Sequence, residues 1–123
     1  MENREKIIRQ VTSFIEGGDR SSLEMLNMAL HEKFSNVQNG FFDQKGIFVI
    51  DKDKYLSLIS DHTFGGIPRK MEIVSLDIVG NIAMVKAHLR SEQLTFISFI
   101  SLVMDEHREW KVIGNFPFVE AND

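Results

Sequence analysis

The sequence predicts an α+β domain in which three short helices pack on a curled antiparallel sheet. Apolar residues recur at helical spacing in the first half of the chain, and they alternate at strand spacing from Lys70 onward. Within the second half, Leu94–Met104 is apolar on both alternating faces. An antiparallel strand with one face in water alternates between apolar and polar residues, so both faces of this sheet should be covered.

Three helices are predicted before the main sheet. The first carries one apolar stripe, formed by Ile7, Ile8, Val11, Phe14 and Ile15. Asn3 is suited to cap its start, and Gly17 with Gly18 should end it. Asp19 should then cap a second helix, whose apolar stripe is Leu23, Leu26 and Leu30. Asp51 should cap a third helix, whose apolar side is Tyr55, Leu56 and Ile59.

Six strands are predicted, namely Phe34–Phe42, Ile47–Ile50, Met71–Val79, Ile82–Arg90, Leu94–Met104 and Trp110–Val119. The first two form a short N-terminal hairpin through the turn Asp43–Gly46, and the last four form a meander. Gly80 and Asn81 suit a two-residue hairpin. In the last strand, alternation places five residues on one face, which we expect to be concave: Trp110, Val112, Gly114, Phe116 and Phe118.

Composition narrows the class of protein. With 123 residues, the chain should form a single domain over residues 1–123. The net charge of −4 disfavours nucleic acid as a partner, and no apolar run approaches the roughly 18 residues of a membrane span. The chain has no cysteine and its N-terminus lacks a secretory pattern, so a cytoplasmic protein is expected. Its four histidines lie far apart, so neither a metal site nor a cofactor is predicted.

Three stretches carry a resemblance to a known family. They are FIEGGD-x3-L-x2-L from Phe14, MEIVSLDIVGNIAMVKAHL from Met71, and FISFISLVM-x5-WKVIGNFPF from Phe96. The chain resembles the nuclear-transport-factor-2-like (cystatin-like cone) superfamily over Arg4 to Val119, and within it the lumazine-binding-like and SnoaL-like small domains. The resemblance implies a curved sheet wrapped around the helices as a cone, a homodimer through the outer sheet face, and a cavity that some relatives use for catalysis or ligand binding.

The resemblance also allows a comparison with the enzymatic branch. In ketosteroid-isomerase-like members, a tyrosine on the first helix donates a hydrogen bond to the developing oxyanion, and an aspartate on the first strand moves the proton. Matching the EGGD turn places Val11 at the tyrosine position, and the strand register places Gln38 near the aspartate. Valine has no donor and a glutamine amide does not titrate, so this acid–base pair is not expected here.

The chain's ten phenylalanines can line or fill the interior of such a cone. Six aromatic residues are expected near the interior, namely Phe14, Phe34, Tyr55, Phe99, Trp110 and Phe116. Asn36 and Gln38 should supply neutral hydrogen-bonding groups among them, and the loop around Gly65 and Gly66 should form a lip of the cavity. Such a pocket suits an uncharged, largely apolar or aromatic small molecule, bound without catalysis.

Two other functions remain open from the sequence. One is a dimeric interaction or scaffold module in which the same aromatic side chains simply fill the core. The other is a weak isomerase or lyase of the SnoaL-like or ketosteroid-isomerase-like kind. An open pocket of a few hundred Å³ favours a ligand-binding protein, and a filled core favours the scaffold. Whichever of these functions the protein has, the two apolar faces of Leu94–Met104 predict a homodimer through the outer sheet face.

Overall fold

The computed structural model of the protein describes residues 2–41 and 43–123. The three helices are α1 (Asn3–Asp19), α2 (Leu23–Ala29) and α3 (Lys52–Ser60). The six strands are β1 (Leu30–Phe41), β2 (Gln44–Asp51), β3 (Lys70–Val79), β4 (Ile82–Arg90), β5 (Leu94–Met104) and β6 (Trp110–Ala121). They form one curved, unclosed sheet in the order β2-β1-β6-β5-β4-β3. The predicted α+β class, with a C-terminal meander and an N-terminal hairpin, is confirmed.

One pair of strands departs from the predicted antiparallel sheet. β1 runs parallel to β6, with Ser35 opposite Gly114 and Asn36 opposite Asn115. These two strands are far apart in the sequence, and parallel neighbours cannot be joined by a short turn. The intervening chain supplies α3 and three strands of the meander before β6 returns beside β1. This pairing joins the hairpin to the meander and completes the curved sheet.

The end of α1 and the start of α2 differ from the prediction. α1 continues through Gly17 and Gly18 to Asp19, and Asp19 does not cap α2. Ser22 is the cap instead, because its Oγ accepts a hydrogen bond from the Met25 backbone nitrogen at 3.2 Å. Gly17 allows α2 to approach closely, since a Cβ there would lie 2.9 Å from Leu26 Cγ. Gly17 therefore serves helix packing, and neither glycine ends α1.

Of the other two predicted caps, Asp51 is confirmed and Asn3 is wrong. Asp51 caps α3 as predicted, since its Oδ1 accepts a hydrogen bond from the Lys54 backbone nitrogen at 2.9 Å. Asn3 does not cap α1, whose N-cap is Glu2. The Asn3 side chain instead accepts a hydrogen bond from Trp110 Nε1 at 3.2 Å, which ties the start of α1 to the start of β6.

The predicted strand boundaries agree best with the observed ones in the meander. The predicted and observed bounds of β4 and β5 coincide, and the two-residue connection at Gly80 and Asn81 is confirmed. β1 begins earlier than predicted, at Leu30, and β2 begins at Gln44, inside the predicted turn. The predicted end of the first strand, Phe42, lies outside the described residues.

A β-bulge in β6 reverses the predicted face of its second half. Leu102 pairs with Val112, but the preceding residue of β5, Ser101, pairs with Gly114, so Ile113 is the extra residue. Trp110 and Val112 are buried on the concave face as predicted. Beyond the bulge, the alternation shifts by one residue. The prediction that Phe116 and Phe118 share the concave face is wrong, since both lie on the outer face and are 58% and 59% exposed.

The core lies between the concave face of the sheet and the helices. Phe14 from α1, Phe34 from β1 and Tyr55 from α3 form its aromatic centre, with ring centroids 5.3 to 6.0 Å apart. The small side chains of β4 and the larger ones of β5 pack beneath the helices. None of the helices in the described part of the chain is long and apolar enough to cross a membrane.

Candidate functional site

The open end of the cone holds a cavity of about 890 Å³. Its walls come from the concave sides of β1, β5 and β6, from α1 and α3, and from the loop of residues 61–69 between α3 and β3. Most of the lining is apolar and includes aromatic side chains of three elements, Phe14, Tyr55 and Phe64. The helices and the sheet therefore do not close completely on each other, and the interior is an open pocket.

A chain of three side-chain amides crosses the floor of this cavity. Asn115 Nδ2 donates to Asn36 Oδ1 at 2.8 Å, and Asn36 Nδ2 donates to Gln38 Oε1 at 2.6 Å. Gln38 Nε2 in turn donates to the Gly40 carbonyl at 3.0 Å. We call these three residues, Asn115, Asn36 and Gln38, the amide relay. Parallel pairing of β1 with β6 brings its two halves together.

The two ends of the amide relay differ in their bonding. At one end, Asn115 Oδ1 is buried and has no hydrogen-bond partner among the described residues. At the other end, Gln38 is only partly buried and keeps one amide hydrogen and one lone pair beyond its bonds in the relay. The relay therefore fixes the orientation of Gln38 and leaves it able both to donate to and to accept from a ligand.

Tyr55 places a hydroxyl group in the same cavity. Its ring packs 5.7 Å from Phe64 and 6.0 Å from Phe14, and the residue is 9% exposed. Burial raises the pKa of the hydroxyl to about 12, while the charges of Arg69 and Asp19 act in opposite directions. Because this pKa lies far above neutral, the group is an uncharged hydrogen-bonding partner and not a base.

An ion pair connects the loop of residues 61–69 to the end of α1. Arg69 Nε donates to Asp19 Oδ1 at 2.6 Å, and the Arg69 backbone nitrogen donates to Asp19 Oδ2 at 3.1 Å. The guanidinium carbon lies 4.8 Å from the centroid of the Phe96 ring. Asp19 therefore holds a cation at the cavity instead of capping α2.

The same loop closes one side of the cavity against α1. The Gly66 backbone nitrogen donates to the Gly18 carbonyl at 2.9 Å. Gly65 has a positive φ of 75°, and a Cβ there would collide with the same Gly18 oxygen. Gly65 lines the cavity, as the predicted lip residue should. Close approach of the two backbones explains why glycine is needed at this position.

The eight residues that the sequence nominates for the pocket fall into three groups. Phe14, Asn36, Gln38 and Tyr55 come together around the cavity. Phe34 and Trp110 do not line it, because both are fully packed in the core behind its wall.

The third group is Phe99 and Phe116, which border the cavity where β5 and β6 line it. The two residues pair across these strands, and their exposed side chains also border the outer face. The outer face has its own shallow groove of about 520 Å³ beside these rings. Phe99 is 44% exposed there, with Lys86 Nζ 5.9 Å from its ring centroid.

Several polar residues that line the cavity are not predicted from the sequence, among them Arg69 and Asn115. Asn115 was expected on the face away from Trp110, and the bulge at Ile113 turns it inward. The sequence signal for this shift is Gly114, since a glycine inside a strand often marks a bulge or a close backbone approach. In the structure, a Cβ at Gly114 would collide with Ser101 Oγ. Arg69 gave no local signal, because its partner Asp19 lies fifty positions away.

Two further predictions concern chemistry at the site. Val11, placed by resemblance at the tyrosine position of the isomerases, is completely buried in the core. Within residues 2–41 and 43–123, no three histidine or acidic side chains are grouped so that they could hold a metal ion. The ionisable side chains that line the cavity, within the same residues, are Tyr55 and Arg69.

Comparison with known proteins gives a family and a fold. Residues 2–116 match the family described as "Putative lumazine-binding". An NTF2-like protein of unknown function from Shewanella baltica has a TM-score of 0.82 and 18% identity, over 97% of this chain and 94% of that one. One from Silicibacter pomeroyi has a TM-score of 0.81 and 16% identity, over 98% of this chain and 100% of that one.

A third similar structure is a ketosteroid isomerase-like protein from Erwinia carotovora atroseptica. Its TM-score is 0.77 and its identity 10%, over 99% of this chain and 98% of that one. No curated protein sequence matches the chain. At these identities, the structural matches establish the fold alone, and they confirm the cone that the resemblance implied.

Proposed function

Because the chain belongs to the family of lumazine-binding-like domains within the nuclear-transport-factor-2-like superfamily, we propose that its cavity binds a small, uncharged, largely apolar or aromatic molecule without transforming it. The observation that carries this proposal is the open cavity of about 890 Å³, with an apolar lining and a few fixed polar groups. Ligand sites of proteins are typically of this size and composition, at about 300–1,000 Å³.

The polar groups of the cavity support binding more than proton transfer. Gln38, at the position that the resemblance assigns to the catalytic aspartate, is an amide locked by Asn36 and the Gly40 carbonyl. Tyr55 stays protonated near neutral pH, since its pKa is raised to about 12. A guanidinium does not give up its proton in proteins, so Arg69 cannot act as a base. None of these groups can remove a proton from a bound ligand.

The family description names lumazine, which serves as a test ligand. Lumazine is a planar two-ring heterocycle whose edges carry carbonyl acceptors and N–H donors. The flat ring suits the aromatic walls formed by Phe14, Tyr55 and Phe64, and its edge groups suit the amide of Gln38. The rings supply apolar contact, and the amide supplies orientation.

We expect purified protein to bind lumazine in mildly acidic solution, where the ring is uncharged. Binding should be followed through the emission of lumazine itself, because Trp110 does not line the cavity. Gln38→Leu keeps the volume of the side chain and removes its hydrogen bonds. It should weaken binding by about 3- to 10-fold, the range expected for one hydrogen bond.

Gln44→Leu is the matched control, because Gln44 is exposed on β2 and does not line the cavity. Its affinity for lumazine should equal that of the wild-type protein. Equal affinities for all three proteins would mean that lumazine binds outside the amide relay. If neither lumazine nor naphthalene, a purely apolar two-ring probe, bound at saturating concentrations, the cavity proposal would be wrong.

The outer face of the sheet supports a second proposal, which is a homodimer. Eight large apolar side chains of the described residues are exposed on this face, namely Ile47, Val49, Val79, Ile82, Met84, Phe99, Phe116 and Phe118. Six strands about 4.8 Å apart and ten residues long, at about 3.3 Å each, give a face of about 800 Å². That is about the area that each partner buries in a standard protein interface.

Phe116→Asp should convert a dimer into a monomer, because it places a charge at the centre of the outer face. Light scattering should report twice the chain mass of 14.2 kDa for the wild-type protein and the single mass for the variant. Met28→Asp is the control, since Met28 is 65% exposed on α2, away from the sheet. A wild-type protein that is monomeric at micromolar concentration would contradict the proposal.

A further inference from the structure

Arg69 has donor capacity that the protein itself does not use. Among the described residues that line the cavity, Arg69 is the one that carries a charge. Its contacts with Asp19 occupy Nε and the backbone nitrogen. The two terminal nitrogens, Nη1 and Nη2, together carry four N–H groups. No hydrogen-bond acceptor from the described residues meets either of them.

The position of the guanidinium is already set before a ligand enters. Asp19 fixes one edge of the group through a 2.6 Å hydrogen bond, and the Phe96 ring lies 4.8 Å from its centre. The side chain is 16% exposed, so little freedom is left to lose on binding. A pre-oriented guanidinium that lines an apolar cavity is typical of a recognition group.

The charge balance decides which acceptor fits these donors. Asp19 already neutralises the guanidinium at 2.6 Å, so a ligand carboxylate would place a second negative charge in a partly buried site. An uncharged carbonyl oxygen adds no charge and can accept from both terminal nitrogens through its two lone pairs. The site therefore favours a neutral acceptor over an anion.

We propose that Arg69 is the specificity-determining residue of the cavity and that it binds a neutral carbonyl group on the ligand. This inference rests on the proposed function, because it assigns the acceptor that a ligand in the same cavity must carry. It adds a requirement that an apolar pocket alone would not impose. Ligands without a carbonyl should enter the cavity and bind more weakly.

A matched pair of probes tests the inference. Tetralin and 1-tetralone are uncharged two-ring molecules of nearly equal size, and only the second has a carbonyl. Neither carries an N–H or O–H donor. We expect 1-tetralone to bind the wild-type protein about 10-fold more tightly than tetralin, as a hydrogen bond to a charged donor allows. Calorimetry or ligand-observed NMR can measure both affinities.

Arg69→Met is the variant that removes the terminal nitrogens. A methionine keeps an unbranched side chain and has no N–H donor, whereas a lysine would still offer three. The 10-fold preference for 1-tetralone should disappear, while tetralin still binds. Arg9→Met is the control, because Arg9 is exposed on α1 and does not line the cavity. It should keep the preference.

Each outcome separates this inference from the proposed function. If tetralin binds but 1-tetralone binds no better, the cavity binds ligands and the role of Arg69 is wrong. If Arg69→Met keeps the preference, the carbonyl is bound elsewhere and the role of Arg69 is again wrong. Tighter binding of tetralin-1-carboxylate than of 1-tetralone would overturn the neutral acceptor. If none of the probes binds the wild-type protein, the proposed function itself fails. The comparison of 1-tetralone with tetralin uses only the wild-type protein, so it tests the inference even if a variant does not fold.

Discussion

Replacing Trp110 by alanine should lower the free energy of unfolding by about 3–5 kcal/mol, the usual cost of deleting a large buried aromatic side chain. Trp110 is 2% exposed, and its Nε1 donates to Asn3 at the start of α1. Its backbone carbonyl also accepts a hydrogen bond from Gln10 at 2.6 Å. The substitution leaves a cavity beneath α1 and removes one bond between α1 and β6. Urea unfolding followed by circular dichroism measures the loss.

Two further measurements belong to this prediction. Met28→Ala, at an exposed apolar position on α2, should change the free energy of unfolding by no more than about 0.5 kcal/mol. In the native wild-type protein, the emission of Trp110 should be shifted to the blue, as expected for a buried indole. Emission like that of free tryptophan, together with a neutral alanine variant, would contradict the burial of this strand.

Alkaline titration should show the second large effect. Tyr55 is the chain's one tyrosine, so the near-ultraviolet absorbance of tyrosinate reports on this residue alone. Burial raises its pKa from 10.0 to about 12, so the folded protein should titrate about two pH units above the protein unfolded in urea. A midpoint near 10 in the folded protein would contradict the burial of the hydroxyl group.

The same shift predicts how stability depends on pH. Between pH 10 and about 12, the unfolded chain has lost the Tyr55 proton and the folded chain still holds it. Stability therefore falls as the pH rises through this window, by about 3 kcal/mol for two pKa units. Below pH 10 the contribution is fully present. Tyr55→Phe, which cannot ionise, should lose this part of the decrease and keep the part that comes from lysines.

The local elements of the fold could be predicted because their signals are local. The alternation of β4 and β5, the two-residue connection at Gly80 and Asn81, and the cap at Asp51 each depend on neighbouring residues. Even local signals failed where distant atoms competed for the same side chain. Asp19 looks like a helix cap, but Arg69 takes both of its oxygens.

The candidate site could be predicted only in part. Helix and strand periodicity predicts four of its residues, namely Phe14, Asn36, Gln38 and Tyr55. Each lies in a helix or strand segment whose regular alternation continues through it. Phe116 could not be placed, since one extra residue in β6 exchanges the two faces of the strand beyond it. The same exchange turns Asn115 into the cavity.

The α+β class, the meander and the apolar outer face follow from the sequence alone, because periodicity and turn residues encode them within a few positions. Three features depend on the folded chain instead: the parallel pairing of β1 with β6, the bulge at Ile113 and the contact of Asp19 with Arg69. These features join residues that are far apart in the chain, and their register depends on how the curved sheet packs on the helices. Those long-range contacts bring Asn115 and Arg69 to the cavity, so these two polar groups became visible only in the folded protein.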